Sequence, residues 1–166
     1  MSRTPAGIAG LTSLSVALAT LLCACSGGLR PLAAVNQQLA RVGSSSNPAL
    51  AGPWLALIVN RQGVRPQVQL IDLNRNAPVP LQGLNRADSL PLAVTVDQQG
   101  ERLAVVRLRD DRTELVLYRR SLMASQTVPI EPAGVPRQLQ LSADGRLLAV
   151  EVSRGGFWQV DLLELP

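Results

Sequence analysis

The sequence predicts an all-β domain built from about three similar antiparallel units, and internal repetition is the main observation behind this prediction. The stretch 92–120, LAVTVDQQGERLAVVRLRDDRTELVLYRR, contains three short apolar strands separated by two tight turns. Placing Gly100 over Gly145, 45 residues later, aligns LAV at 103–105 with LAV at 148–150. Placing it over Gly52, 48 residues earlier, aligns LAL at 55–57. Repeats of this length with several strands indicate stacked units that bury their apolar faces on one another.

Length and charge narrow the classes of function. The chain has 166 residues, enough for one domain, and a net charge of +4. All 16 basic residues are arginine and histidine is absent, which excludes chemistry based on a histidine side chain. The arginines are scattered among 12 acidic residues and form no basic run. This pattern does not favour nucleic acid as a partner.

The N-terminus has the three parts of a secretory signal peptide over residues 1–24. It ends in LCACS at 22–26, which resembles the bacterial lipobox, where a small residue precedes the cysteine that receives lipid. The resemblance implies lipidation of Cys25, a membrane anchor and a periplasm-facing position in the cell envelope. Ser26, where inner-membrane lipoproteins carry Asp, leans toward the outer membrane. The alternative is an ordinary cleaved signal with two incidental cysteines.

Residues 25–50 are predicted to form the lipidated anchor and a linker. The run SSSNP at 44–48 is typical of flexible and turn-forming segments, so the linker is expected to hold the domain off the membrane. Within it, 31–42 places Leu32, Val35, Leu39 and Val42 on one helical face. This segment is either a short helix that packs on the domain or membrane, or a frayed part of the tether.

The β domain is predicted over 51–166, with repeats at about 51–86, 88–131 and 134–166. The first repeat contains WLALIVN at 54–60, a continuous apolar run typical of a strand buried on both faces. The other predicted strands lie at 67–73, with an edge segment at 79–81, then at 92–96, 103–109, 114–120, 127–130, 138–141, 147–152 and 157–163.

Two of the turns carry a family resemblance. DQQG at 97–100 and SADG at 142–145 each precede an apolar strand, and AGPW at 51–54 is a degenerate third copy. This pattern resembles the turn between the first two strands of TolB-type and WD-like β-propeller repeats, over about residues 50–163. The resemblance implies an incomplete propeller-like array of about three blades, because closed propellers of that family have more blades. It also implies a non-catalytic binding or scaffolding module whose partners are other envelope proteins.

Five acidic residues are candidates for a catalytic or metal site. Asp97 and Asp144 each precede a turn glycine, where an aspartate more commonly caps its own backbone than binds calcium. Asp110, Asp111 and Glu114 are expected at a solvated hairpin tip, where carboxylates stay ionised and do not form an acid–base pair. The sequence therefore predicts no catalytic residue, no metal site and no cofactor. The alternative function is a carbohydrate-binding or hydrolytic subunit of the envelope.

Arginines recur at the hairpins that join the second and third strands of each repeat. Because these hairpins emerge at one end of a stacked array, the sequence predicts a basic face that binds an acidic partner. The alternative is that the arginines belong to ordinary solvated turns. The predicted residues are Arg61, Arg65, Arg109, Arg112 and Arg154.

The large rings and the unpartnered blade faces bear on assembly. Trp54, Tyr118, Phe157 and Trp158 are expected to fill the core between blades. Phe157 and Trp158 are adjacent and point to opposite faces of a strand, so an exposed one would mark an interface. Three blades do not close a ring, so the open faces need a cover. The candidates are the 31–42 segment, wedge-like packing of the blades, or a homodimer forming a six-bladed ring.

Overall fold

A computed structural model describes residues 30–166, which contain one helix and eleven strands. The predicted signal peptide at 1–24 and the predicted lipidation site Cys25 lie outside the described residues. The elements are α1 Ala33–Val42, β1 Ser44–Ala51, β2 Trp54–Asn60, β3 Gln67–Asp72, β4 Ala77–Val79, β5 Ser89–Val96, β6 Arg102–Arg109, β7 Arg112–Arg119, β8 Ala124–Val128, β9 Val135–Leu141, β10 Leu147–Arg154 and β11 Phe157–Glu164.

The strands form three separate antiparallel sheets, which confirms the predicted fold class. Their orders are β1-β2-β3-β4, β5-β6-β7-β8 and β9-β10-β11, so each sheet is a meander of consecutive strands. We call them the first, second and third blade. The first strands β1, β5 and β9 contact one another in sequence, and the second blade lies between the other two. The array is unclosed.

The prediction of a linker over residues 25–50 is wrong from Ser44 onward. Ser44–Ala51 is a strand that pairs with β2 along its length, from Ser44 opposite Asn60 to Ala51 opposite Trp54. The register shifts between Ser46 and Ala49, where Asn47 has a positive φ of 51° and Pro48 follows. Such an irregularity lets a strand tolerate proline. Serine and proline disfavour strands locally, but pairing with the strongly β-forming WLALIVN overrides that preference.

Two of the three buried apolar clusters lie on either side of the second blade. Leu103 and Val105 of β6 point toward the first blade, whereas Ala104 and Val106 point toward the third. All four are at most 1% exposed. Because side chains alternate along a strand, an apolar run fills both clusters at once. This arrangement explains why the LAV triplet recurs in the repeats.

The helix α1 covers the other face of the first blade. Leu39 and Val42 pack against Leu57, Val59 and Ile71, which point away from the second blade. The helix begins at Ala33, two residues after the predicted start at Pro31. Of the predicted covers for the open faces, the 31–42 segment therefore occupies this one. Among the described residues, no helix is long and apolar enough to span a membrane.

The turns joining the first two strands of the blades meet at one end of the array. The Gln98 backbone N–H donates to the Ala143 carbonyl at 3.0 Å, and Arg102 Nη1 donates to the Gly145 carbonyl at 2.9 Å. As the sequence predicts, Asp97 caps its own turn, accepting a hydrogen bond of 2.8 Å from the Glu101 N–H. Since strands alternate in direction, the hairpins between second and third strands lie at the opposite end.

Candidate functional site

A cleft opens at the hairpin end, between the first and second blades. It has a volume of about 340 Å³, within the lower range of small-molecule sites. Its walls come from the β2–β3 hairpin, the loop at 84–87 before β5, and strands β5 and β6. Apolar side chains form much of the wall, including Val64, Val68, Leu84 and Val105. The cleft is therefore an apolar depression with a restricted set of charged groups.

Among the described residues, three arginines and no acidic side chain line this cleft. Arg65 and Arg86 are exposed at its rim, and Arg65 Nη1 donates a hydrogen bond to the Ala87 carbonyl. Arg107 is only 5% exposed and belongs to β6, the second strand of the second blade. It lies opposite Glu114 on β7, and its Nε donates to Glu114 Oε1 at 2.6 Å. Its Nη1 has no hydrogen-bond partner among the described residues.

The internal repeat shows that Arg107 is an exception at its position. The spacings of 45 and 48 residues place Val152 and Val59 at the corresponding positions of the third and first blades. Both valines are buried, at 0% and 4% exposure. An apolar side chain is therefore sufficient for packing at this position. A buried charge is usually retained only where other contacts compensate it. Sequence reasoning missed Arg107, although aligning the repeats carries the signal.

The hairpin arginines predicted to form a basic face do not form a uniform one. Arg109 lies 3.2 Å from Asp88 and 3.7 Å from Asp110, so acidic groups alternate with it at the surface. Arg154 donates to Asp161 Oδ1 at 2.9 Å and, through Nε, to the Pro132 carbonyl at 2.9 Å. Arg61, Arg65 and Arg112 are exposed. A shallow depression brings Arg65 and Arg109 together around Asp88.

Ion pairing changes the titration of two surface carboxylates at this end. The hydrogen bond from Arg86 is the largest cause that lowers the pKa of Asp88 below its ordinary value. In the same way, the hydrogen bond from Arg154 lowers the pKa of Asp161. Both carboxylates therefore stay negatively charged at more acidic pH than a free aspartate.

The carboxylates considered for catalysis do not share one site. Asp110 and Asp111 are exposed at the β6–β7 turn, where both have positive φ angles of 49° and 58°. Glu114 was expected at the same solvated tip, and this prediction is wrong: the side chain is half-buried beside Arg107. No group of three or more Cys, Asp and Glu side chains within residues 30–166 could hold a metal ion.

The outer strand of the third blade, β11, carries exposed apolar side chains, and here the prediction for two aromatic rings is wrong. Phe157 and Trp158 do not fill the core: they are 74% and 49% exposed. Val160 and Leu162 follow Trp158 at alternating positions of β11, at 68% and 74% exposure. The guanidinium of Arg137 lies 4.1 Å from the centroid of the Trp158 ring. Among residues 30–166, no element packs on the side of β11 that carries Trp158, Val160 and Leu162.

The inner strands of the blades form another open groove, with a volume of about 380 Å³. It is lined by residues from β1, β5 and β9, including Asn47, Gln138 and Gln140. The groove follows the position that the axis of a closed array would occupy. Its polar side chains are neutral.

Comparison of folds agrees with this geometry. The chain superposes on TolB from Acinetobacter baumannii with a TM-score of 0.54 and 14% identity, covering 70% of this chain and 29% of that one. The fold is propeller-like. The β-propeller domain of the trilobed protease from Pyrococcus furiosus, described as having an open velcro topology, matches with a TM-score of 0.50 and 14% identity, covering 75% and 43%.

The likeness covers the fold and only part of the similar proteins. The C-terminal WD40 domain of Sif2 also matches, with a TM-score of 0.45, 14% identity and coverage of 74% and 34%. The propeller-like chain thus spans less than half the length of each of these three structures. No protein-family model matches the sequence, and the search of curated proteins gives no match.

Proposed function

We propose that this chain is a non-catalytic lipoprotein of the cell envelope that binds another envelope protein through its third blade. The observation that carries the proposal is the exposed apolar face of β11, with Trp158, Val160 and Leu162 in alternation. Apolar groups concentrated at one place on a soluble domain are typical of protein interaction surfaces. An exposed tryptophan with a nearby arginine is also a common composition for the centre of an interface.

The free edge of the third blade supports the same proposal. Within residues 30–166, β11 pairs with β10 on one side only, whereas the other two blades each have a fourth strand after the third. Natural edge strands are commonly protected by lysine, proline or a bulge. β11, with the sequence FWQVDLLE, contains no basic residue and no proline, and its pairing with β10 is regular over eight residue pairs. A strand from a partner protein can therefore extend this sheet.

The partner in this proposal is a different protein, not a second copy. A six-bladed ring of two chains requires the third blade of each chain to pack on the first blade of the other. In the first blade, that face is covered by α1 through Leu39 and Val42. A homodimeric ring would have to displace the helix and its apolar contacts. The solution mass of the unlipidated protein tests this: a monomer at tens of micromolar agrees with it, and a dimer contradicts it.

The anchor belongs to the proposal through the lipobox resemblance at 22–26. The chain should incorporate labelled palmitate and partition into detergent, and Cys25→Ser should abolish both. Outer-membrane fractionation is the expected result because Ser26 follows Cys25. Palmitate labelling that persists in the Cys25→Ser form would contradict the assigned site.

The binding proposal is tested by crosslinking and capture from envelope membranes. Val160→Asp places a charge at the centre of the exposed apolar face and should remove the captured protein. Leu122→Asp is the matched control, because Leu122 is 62% exposed in the turn after β7, away from the third blade. Equal capture by both variants would show that the third blade is not the interface.

A further inference from the structure

We propose that the cleft between the first and second blades is a binding site for a monocarboxylate with an apolar stem, held by Arg107. This site is separate from the third-blade surface proposed above. Arg107 has a buried guanidinium whose Nη1 lacks a partner within the described residues, and it is one of the residues that form the cleft wall. A buried polar group without a partner is uncommon in proteins and calls for an explanation.

Packing does not explain an arginine at this position. Val59 and Val152, at the corresponding positions in the other repeats, are buried in the first and third blades. The second blade instead holds a charged side chain there and supplies Glu114 opposite it. Glu114 satisfies the Nε edge at 2.6 Å, which orients the guanidinium and leaves the Nη1 edge for another acceptor. An arginine held in this way resembles a prearranged anion receptor.

Charge selects a monoanion. Of the three arginines lining the cleft, Arg107 is paired with Glu114 and Arg86 with Asp88, and Arg65 forms no salt bridge with the described residues. A single arginine without an ion pair suits a monoanionic carboxylate better than a phosphate group, which carries roughly −1.5 to −2 at neutral pH. A dianion would also meet the nearby Glu114 carboxylate.

The apolar part of the cleft wall indicates which kind of molecule the carboxylate belongs to. Val64, Val68, Leu84 and Val105 offer apolar contact, and the volume of about 340 Å³ accommodates a side chain or a short aliphatic segment. The carboxylate could belong to the C-terminus of a polypeptide with an apolar last residue, or to a small aliphatic acid. Both sources share the chemistry proposed here, and the experiment separates them.

Binding is measured by calorimetry on the full chain carrying Cys25→Ser, with four probes: acetyl-Gly-Leu as the free acid, its amide, hexanoate and inorganic phosphate. Heat from the acid peptide alone identifies a polypeptide terminus, and equal binding of hexanoate identifies a small acid; either result supports the site. Binding of the amide as tight as the acid, tighter binding of phosphate, or no binding of any probe would overturn it.

Variants connect the binding to the named residues. Arg107→Val installs the residue of the other two repeats and should weaken binding of the acid about tenfold or more, the size expected for a charged hydrogen bond. Arg112→Val, at the exposed hairpin tip outside the cleft, is the control and should bind normally. Unchanged affinity in a folded Arg107→Val protein would overturn the proposal.

Glu114→Gln and Arg65→Gln keep the test decisive if Arg107→Val does not fold. Glu114→Gln removes the negative charge beside the proposed anion and should tighten binding severalfold. Arg65→Gln, at an exposed rim position, should weaken it severalfold. A purely structural Arg107–Glu114 pair predicts no change in either variant, and that result would contradict a carboxylate site.

Discussion

The contact between the first and second blades can be tested with a single added methyl group at Gly100. Gly100 has a φ of +64° and lies in the turn between β5 and β6, beneath the Trp54 ring of the first blade. A Cβ built there would overlap the indole and stand 2.8 Å from Trp54 Nε1. The ring cannot easily move away, because the Arg120 guanidinium lies 5.0 Å from its centroid.

Two physical effects add in Gly100→Ala. A left-handed backbone conformation destabilises alanine by about 1–2 kcal/mol relative to glycine. Forcing a methyl group into a packed contact destabilises by about 1–3 kcal/mol more. The free energy of unfolding should therefore fall by about 2–5 kcal/mol, a large share of the stability of a small domain.

Gly155→Ala separates the two effects. Gly155 also has a positive φ, of 56°, but an added Cβ meets no atom within 4 Å. The free energy of unfolding of Gly155→Ala should therefore fall only by the conformational contribution, about 1–2 kcal/mol. Urea unfolding of the unlipidated chain measures both variants, and the difference between them isolates the clash with Trp54. If the two substitutions destabilise equally, the packing of Trp54 on Gly100 is not as described.

Further predictions concern the helix, the acid limb of stability and the hairpin end. Leu39→Asp should expose the apolar face under α1 and lower both solubility and the unfolding midpoint, whereas Gln37→Asp, at an exposed position in the middle of the helix, should change both much less. The pKa of Asp161 is lowered in the folded protein by Arg154, so its stabilisation is complete above the unfolded pKa of about 4 and is lost as pH falls through the folded value. Asp161→Asn should therefore flatten the stability curve between about pH 5 and the folded pKa, and an unchanged acid limb would contradict the pairing. Charge reversal of exposed Arg112 should leave capture of the partner through the third blade unchanged, and reduced capture would place the hairpin arginines in the interface.

The strands and their turns follow from the sequence because their causes are local. Alternation and apolar runs specify β2 and β6, and the aspartate before each turn glycine accepts hydrogen bonds from its own turn. The repeat spacing adds the information that the units stack. Because these signals act over a few residues or recur at a fixed period, they can be recognised in a single sequence.

The tertiary structure decided the features that depend on a distant neighbour. Ser44–Ala51 is a strand because β2 offers it a hydrogen-bonding edge, which its own composition does not indicate. Arg107 is buried because the first blade packs over β6, and Trp158 is exposed because no element of residues 30–166 packs on its side of β11. Burial and pairing are properties of two surfaces together, so the residues of one surface alone do not determine them.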